Sequence, residues 1–318
     1  MNHAIAVDLG GTNLRVGLVS PEGEILFQDK VPSPSKLKTQ ESLEEIASVI
    51  QKVIEAGGRK KIAGIALGIP GIVDIKKGVI YQAPHFPNWK NLEIRSFFGK
   101  RFSTKVVVDN DCHMIARGEA WKGAGKGLES FMLLTLGTGI GGGIYWKGEI
   151  LSGDSGFGGE VGHIVIETEG RRCDCGSRGC LEMYASATGI LHEIEKDTDG
   201  GENRRRFLEK IGGISKVTVE KIYHAAQEGD IYAHSLFQKL GKYLGIGIAS
   251  LVNAIGIETV ILGGGVSGAF DFFVDPLKEE LARRTYKETA RRVKILRAAL
   301  GDEAGLLGGA RSILTATR

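Results

Sequence analysis

Four residues in the middle of the chain have the types and spacing of a metal site. His163 is followed by Cys173, Cys175 and Cys180. Three thiolates and one imidazole complete a tetrahedral zinc shell, and a shell built only from protein ligands leaves no position for a catalytic water. A disulfide is the alternative, but the two cysteines of a Cys-x-Cys unit bridge only with strain and would leave one thiol over. The pattern therefore predicts a structural zinc ion.

Two glutamates are tethered to this candidate metal site. Glu160 lies three residues before His163, and Glu182 lies two residues after Cys180. Surface salt bridges are the plain alternative for both side chains. Cys112, by contrast, is expected to be a small packed residue rather than a nucleophile.

A glycine turn follows the first apolar run of the chain. It reads Asp8-Leu9-Gly10-Gly11-Thr12-Asn13. Glycines let backbone N–H groups approach phosphate oxygens, and the carboxylate could hold Mg2+ through water. An ordinary hairpin turn explains the same residues, so the turn alone leaves both interpretations open.

Two more glycine turns occur at later strand ends. One begins Gly137-Thr138-Gly139, and the other comprises residues 263 to 265. Neither has the Lys-Ser or Lys-Thr pair of a P-loop, and neither has the context of a dinucleotide-binding fold. Three such turns suit a nucleotide enclosed between two domains.

Acidic and amide side chains end another apolar run at Asp109-Asn110-Asp111. Such a cluster can be a simple polar turn. Alternatively, a carboxylate here can accept a proton from a sugar hydroxyl while the amide orients that hydroxyl.

Apolar runs of strand length alternate with helical patterns along the chain, which predicts the α/β class. Thr39 is expected to be the N-cap of a long helix, and residues 293–300 a late strand. The strand, glycine turn and strand after Ser130 repeat the N-terminal pattern, which indicates a duplicated unit. Residues 197–216 are polar and are expected to form a solvated loop or helix end.

The bulk composition fits a two-domain globular protein. The chain has 318 residues, of which 42% are hydrophobic, and 41 Lys and Arg stand against 38 Asp and Glu. No basic run suggests nucleic acid as a partner. No stretch approaches the roughly 20 apolar residues of a membrane span, and no leader sequence is visible, so we expect a cytoplasmic protein.

Taken together, the motifs resemble the ROK family of sugar kinases and regulators, which has the actin-like, ribonuclease H-like and hexokinase-type ATPase fold. The resemblance rests on DLGGTNLR, GIPGIVD, DNDCHMIARGE, LGTGIGGGIYWKGEILSGDSGFGGEVGH, CDCGSRGCLE and LGGGV, in that order along the chain. It implies two domains, residues 1–113 joined by a C-terminal helix at 305–318, and residues 114–304, which contain the zinc site.

The resemblance implies a role for each matching position. Asp111 would be the base that takes the proton from the sugar hydroxyl. Further sugar contacts would come from Gly71, Asn110, Glu160, His163 and Glu182. His163 would use one ring nitrogen for zinc and the other for a hydroxyl.

The glycine turns correspond to the nucleotide site in this resemblance. The two phosphate loops would be formed by Asp8, Gly10, Gly11 and Thr12 and by Gly137, Thr138 and Gly139, and the adenosine loop by Gly264 and Gly265. ATP with Mg2+ would then span a cleft between the domains.

The expected reaction is phosphorylation of a hexose, glucose first, at its 6-hydroxyl. N-acetylmannosamine, N-acetylglucosamine or fructose are alternative sugars, polyphosphate is an alternative donor, and a non-catalytic sugar sensor is an alternative of another class. The family's repressors carry a helix-turn-helix ahead of the first phosphate loop, whereas Asp8 is here the eighth residue. A homodimer is expected from the family.

His113 and His85 depart from the usual family pattern, which affects the identity of the sugar more than the chemistry.

Overall fold

The computed structural model describes residues 2–58 and 60–316, and it has an α/β architecture. Its strands are β1 His3–Leu9, β2 Asn13–Val19, β3 Ile25–Pro32, β4 Ile62–Ile69, β5 Ile72–Asp74, β6 Val79–Gln82, β7 Val106–Asn110, β8 Phe131–Leu136, β9 Ile140–Trp146, β10 Glu149–Ile150, β11 Thr259–Gly263 and β12 Lys294–Arg297. The helices are α1 Thr39–Ala56, α2 Ile94–Phe102, α3 Asp111–Lys122, α4 Glu182–Ala185, α5 Ala187–Lys196, α6 Gly201–Ile211, α7 Val219–Gln227, α8 Ile231–Ile255, α9 Phe270–Arg284, α10 Lys287–Arg292 and α11 Ala304–Ala316.

The first sheet has the strand order β3-β2-β1-β4-β7. Its first three strands form an antiparallel meander, and β4 runs parallel to both β1 and β7. The central strands are almost entirely buried and apolar, as expected for a sheet covered on both faces. Because β1, β4 and β7 are parallel, the polar residues that end them lie at one edge of the sheet.

The second sheet repeats this order as β10-β9-β8-β11-β12. In each sheet, the three strands that come first along the chain lie in reverse chain order, and two later strands follow them across the sheet. The duplicated unit and the α/β class predicted from the sequence are therefore confirmed.

The chain divides into two compact units. The first unit contains residues 1–133, 143–159 and 298–318, and the second contains residues 134–142 and 160–297. The boundary after residue 113 implied by the family resemblance stays a prediction.

In the first unit, α3 packs closely on α11 through glycines. A β-carbon added to Gly308 would lie 1.7 Å from the carbonyl oxygen of Met114, and one added to Gly118 would lie 2.1 Å from that of Ala304. The two helix backbones can approach this closely only because neither glycine has a side chain.

Three local predictions differ from the structure. Thr39 is the first residue of α1, and Lys38 is its N-cap, while the side chain of Glu41 accepts from the Lys38 backbone. The strand predicted at 293–300 is shorter in the structure, where β12 is Lys294–Arg297. Residues 197–216 contain the helix α6, which a single fully buried side chain, Phe207, anchors against Tyr232.

None of the helices described in residues 2–58 and 60–316 is long and apolar enough to cross a membrane.

Replacing Gly308 by Ala should destabilise the first unit by about 1–3 kcal/mol or more, because the added methyl group overlaps the α3 backbone. Gly99→Ala is the matched control, since a β-carbon at this helical glycine meets its nearest atom only at 3.8 Å. That control should be neutral or stabilising by up to about 1 kcal/mol. Thermal denaturation measures both, and equal melting temperatures for the two variants would contradict the close helix contact.

Candidate active site

The first glycine turn joins β1 to β2 and is closed by a hydrogen bond from the Gly10 N–H to the Asn13 carbonyl at 2.9 Å. Asp8 on β1 lies opposite Arg15 on β2 in the strand register. The Arg15 guanidinium donates to Asp8 at 3.3 Å and also binds Asp302 at 2.7 Å. Burial raises the pKa of Asp8, and the charge of Arg15 only partly opposes this effect. The carboxylate therefore lies where a further cation would stabilise its ionised form.

His85 and Gly305, from elsewhere in the first unit, pack closely against this turn and Asp8. A β-carbon on Gly11 would lie 2.5 Å from Cδ2 of His85, and one on Gly305 would lie 2.8 Å from Cγ of Asp8. His85, one of the two departures from the family pattern, thus packs its ring directly on the first glycine turn.

The strand β7 ends at Asn110, and α3 begins at Asp111. The Asn110 side chain caps the helix, since its Oδ1 accepts from the Cys112 N–H at 2.8 Å. Its Nδ2 donates to the carbonyl of Gly71 at 3.3 Å. Gly71 has a φ of 102°, and a β-carbon there would lie 2.3 Å from the Gln82 carbonyl, so glycine is required. Asn110 therefore fixes the turn that contains Gly71 against the start of α3.

Asp111 occupies the first position of α3, and its Oδ1 accepts from the Cys112 N–H at 2.9 Å. The N-terminus of a helix favours negative charge, because its unpaired N–H groups point toward that side chain. The Asp111 carboxylate is therefore held at the start of α3, directly after the end of β7.

In the second unit, the four predicted zinc ligands form one cluster. One donor atom from each of His163, Cys173, Cys175 and Cys180 lies within 4.8 Å of all the others. Nδ1 of His163 is 3.6 Å from Sγ of Cys173, and Sγ of Cys175 is 3.6 Å from Sγ of Cys180. Tetrahedral zinc with bonds of about 2.3 Å separates two sulfurs by about 3.8 Å, so the cluster fits zinc.

The protonation chemistry of the cluster also suits a cation. All four cysteines of the protein are free thiols, so the disulfide alternative is wrong. Burial raises the pKa of Cys173 to about 12 and raises that of Cys180 as well, whereas at Cys175 burial is outweighed by hydrogen bonds from the Ser177 backbone and from the other two thiols, which lower its pKa. Buried thiols of this kind become thiolates readily only beside a positive charge, which a metal ion supplies.

The segment around His163 is a single turn of 3-10 helix, Val161–His163, preceded by Glu160. This turn packs against the beginning of β9, because a β-carbon on Gly162 would lie 2.2 Å from the Ile140 carbonyl. Leu181 also donates its N–H to the carbonyl of Ile164 at 2.9 Å, which ties the two ends of the zinc segment together.

Glu182 reaches from the zinc segment to the second glycine turn. Its Oε2 accepts from the Ile140 N–H at 2.8 Å, and a β-carbon on Gly139 would lie 2.1 Å from the same oxygen. Its Oε1 lies 4.0 Å from Sγ of Cys173. The carboxylate thus links the metal cluster to the turn at 137–139.

The second glycine turn has further supports within its unit. Ala187 donates its N–H to the Gly137 carbonyl at 2.9 Å, and the Thr188 hydroxyl donates to the Thr138 carbonyl at 2.8 Å. A β-carbon on Gly264, whose φ is 81°, would lie 2.4 Å from the Leu136 carbonyl. The turn at 137–139 and the turn that holds Gly264 and Gly265 are therefore neighbours.

The predicted site residues divide between the units. The first unit holds Asp8, Gly10, Gly11, Thr12, Gly71, Asn110 and Asp111, and the second holds Gly137, Thr138, Gly139, Glu160, His163, Cys173, Cys175, Cys180, Glu182, Gly264 and Gly265. Sequence reasoning missed Arg15 and Asp302 as partners around Asp8. The pairing of β1 with β2 across the short glycine turn could have revealed Arg15, because that turn places Arg15 opposite Asp8.

Residues 4–316 match the ROK family. Similar proteins include a glucokinase of Halalkalibacterium halodurans, 35% identical over 96% of this chain and 93% of that protein. A xylose repressor of Caldicellulosiruptor bescii is 31% identical over 96% of this chain and 76% of its own length. Among solved structures, a ROK family glucokinase from Streptomyces griseus in complex with glucose and AMPPNP has a TM-score of 0.83, 32% identity, and coverage of 98% of this chain and 99% of that one.

The two sheets of repeated order and the glycine turns at their strand ends define an actin-like ATPase fold, as in the solved ROK glucokinase. The chain belongs to the ROK family.

Purified protein should contain about one zinc ion per chain, and Cys175→Ala should lose it, because three ligands bind zinc far more weakly than four. Metal analysis by mass spectrometry after mild chelation measures this. Cys112→Ala is the matched control, since Cys112 is a buried cysteine outside the cluster and should leave the zinc content unchanged. Equal metal content in both variants would contradict the ligand assignment.

Proposed function

We propose that this protein transfers the γ-phosphoryl group of ATP to the 6-hydroxyl of glucose. Membership of the ROK family supports a sugar kinase, and the glucokinase relatives and the Streptomyces griseus glucokinase bound to glucose and AMPPNP support this sugar and donor. The observation that carries the proposal is the fixed start of α3, where Asp111 follows Asn110 and Asn110 is held by the turn at Gly71.

Asp111 acts as the general base. It accepts the proton of the 6-hydroxyl as that oxygen bonds to the γ-phosphorus, while the bond from the γ-phosphorus to the bridging oxygen breaks and ADP leaves. Asn110 has a second amide N–H beyond the one donated to Gly71, and this hydrogen can bind a neighbouring hydroxyl. The sugar is positioned mainly for in-line attack.

Glu160, His163 and Glu182 complete the sugar site. His163 turns Nδ1 toward Cys173, so Nε2 is the nitrogen for a sugar hydroxyl. Glu182 uses Oε2 for the Ile140 N–H, and its Oε1, which also lies 4.0 Å from Sγ of Cys173, would accept from a sugar hydroxyl. The zinc held by His163 and the three cysteines fixes the direction of the imidazole ring, as outer ligands of metal sites do.

The nucleotide is held by backbone groups of the glycine turns. Gly10, Gly11 and Thr12 and the turn at 137–139 bind the phosphates, and Gly264 and Gly265 receive the adenosine. Asp8 would hold Mg2+, and a carboxylate oxygen is a ligand this ion prefers. When bound, Mg2+ neutralises charge that develops on the transferred phosphoryl group.

The same proposal includes a homodimer in the cytoplasm and a domain boundary near residue 113, with residues 305–318 joined to the N-terminal domain. The homodimer and the domain boundary follow from the family resemblance. Size-exclusion chromatography with light scattering decides the oligomeric state.

In a coupled ADP-release assay, the wild-type protein should turn over glucose with Mg·ATP, and Asp111→Asn should lower kcat by about 10² to 10⁴ fold. The dissociation constant for glucose should change little, because the amide keeps the shape of the site. Asp29→Asn is the control and should leave kcat unchanged, because it removes only a carboxylate on β3 that pairs with Lys52 on α1.

A sugar and donor panel separates the alternatives. Glucose should have a higher kcat/KM than fructose, N-acetylmannosamine and N-acetylglucosamine, and ATP should be used in preference to polyphosphate. Near-normal turnover by Asp111→Asn would remove Asp111 from the role of base. Tight glucose binding without ADP release in the wild-type protein would instead indicate a sugar sensor.

A further inference from the structure

His113 is a buried polar residue on the first turn of α3, with 1% of its surface exposed. Its Nδ1 lies 2.7 Å from Oδ1 of Asp109, and its Nε2 lies 2.8 Å from the carbonyl oxygen of Gly158. Both contacts have good hydrogen-bonding distances. The ring therefore spans from the end of β7 to the loop at 152–159.

Both partners of the ring accept hydrogen bonds. A carbonyl oxygen has no hydrogen to donate, and the two Asp109 oxygens already receive the Asn110 N–H at 2.8 Å and the Arg117 guanidinium at 3.0 Å. A neutral imidazole has only one N–H, so one of its two contacts would bring two lone pairs together. Both contacts are satisfied only when both ring nitrogens carry hydrogen.

The charges around the ring agree with this protonation state. Burial by itself lowers the pKa of His113, but the hydrogen bond and negative charge of Asp109 and the bond to the Gly158 carbonyl outweigh it, and the pKa is raised. The facing charged groups are Asp109 on β7 and Arg117 one turn further along α3, and the loop contributes a carbonyl. An ion pair this deeply buried leaves an uncompensated charge when one partner is removed.

The loop held by His113 needs such an anchor. Gly153, Gly156 and Gly159 all have positive φ angles, so this stretch has much conformational freedom to lose on folding. Gly158 itself is restricted, because a β-carbon there would lie 2.8 Å from the Leu151 carbonyl. Along the chain, the loop leads directly into Glu160.

We propose that His113 is a positioning residue, an imidazolium that joins Asp109 to the Gly158 carbonyl and thereby fixes both the segment that presents Asp111 and the loop that leads to Glu160. The proposal rests on the proposed function, since Asp111 and Glu160 are its base and one of its sugar ligands. Both ring nitrogens of the buried His113 are engaged by Asp109 and Gly158, so the residue acts through these two segments.

The first test replaces the ring. In His113→Gln and His113→Asn, kcat/KM for glucose should fall by about tenfold or more, because small displacements of reacting groups lower rates steeply, while the KM for ATP stays within about twofold. Glu119→Gln is the matched control on the same helix. Glu119 is fully buried and accepts the Ala299 and Leu300 N–H groups, so its loss should lower the melting temperature without this selective effect.

The second test uses the wild-type protein and does not depend on a variant that folds. Nitrogen-15 NMR of the imidazole should show both nitrogens protonated at pH 6.5. Because the folded pKa is raised, the bridge is complete at and below the unfolded pKa and is lost as the pH rises through the folded pKa. The ratio of wild-type to His113→Gln kcat/KM should therefore decrease as the pH rises.

An unprotonated ring nitrogen at pH 6.5, a kcat/KM of His113→Gln within about twofold of wild type, or a ratio that does not vary with pH would each overturn the proposal. Absence of hexose turnover in the wild-type protein would overturn the proposed function instead, and the nitrogen shifts would still decide the state of the bridge.

Discussion

The backbone of Ile140 is the junction on which the second unit's share of the candidate site depends. Its N–H is bound by Glu182, and its carbonyl lies against Gly162 at a distance that excludes any side chain there. Both contacting segments lie beside the cluster of four candidate zinc ligands. The metal cluster, two candidate sugar ligands and the turn at 137–139 therefore meet at Ile140.

In the first unit, hydrogen bonds and a buried ion pair hold the candidate catalytic residues in place. Asn110 caps α3 and holds the turn at Gly71, and Asp109 and His113 connect this point to the loop at 152–159. A buried charge network is sensitive to loss of one member, whereas a metal cluster is sensitive to loss of the ion. The two units thus support their candidate catalytic residues by different physical means.

Much of this could be predicted from the sequence. The buried apolar runs predicted the strands, and the spacing of the cysteines predicted the metal cluster. Both signals lie within short stretches of sequence. The helix α6 was missed because only Phe207 shows its buried side, and helical periodicity needs several apolar residues. The hydrogen bond from the Ile140 N–H to the Glu182 carboxylate joins residues 42 positions apart, so no spacing rule could reveal it. His113 was noted as a departure from the family pattern, but its role depends on Gly158, which is distant in sequence.

The central claim is that zinc positions the residues that bind the sugar, in addition to stabilising the loop that contains its ligands. The most direct measurement is calorimetric titration of folded, metal-free Cys175→Ala with glucose and with a non-hydrolysable ATP analogue. Glucose affinity should fall by at least about tenfold, and nucleotide affinity should fall much less, because the turn at Asp8 and the Gly264 turn hold no zinc ligand. Unchanged glucose affinity in a folded, metal-free protein would contradict the claim.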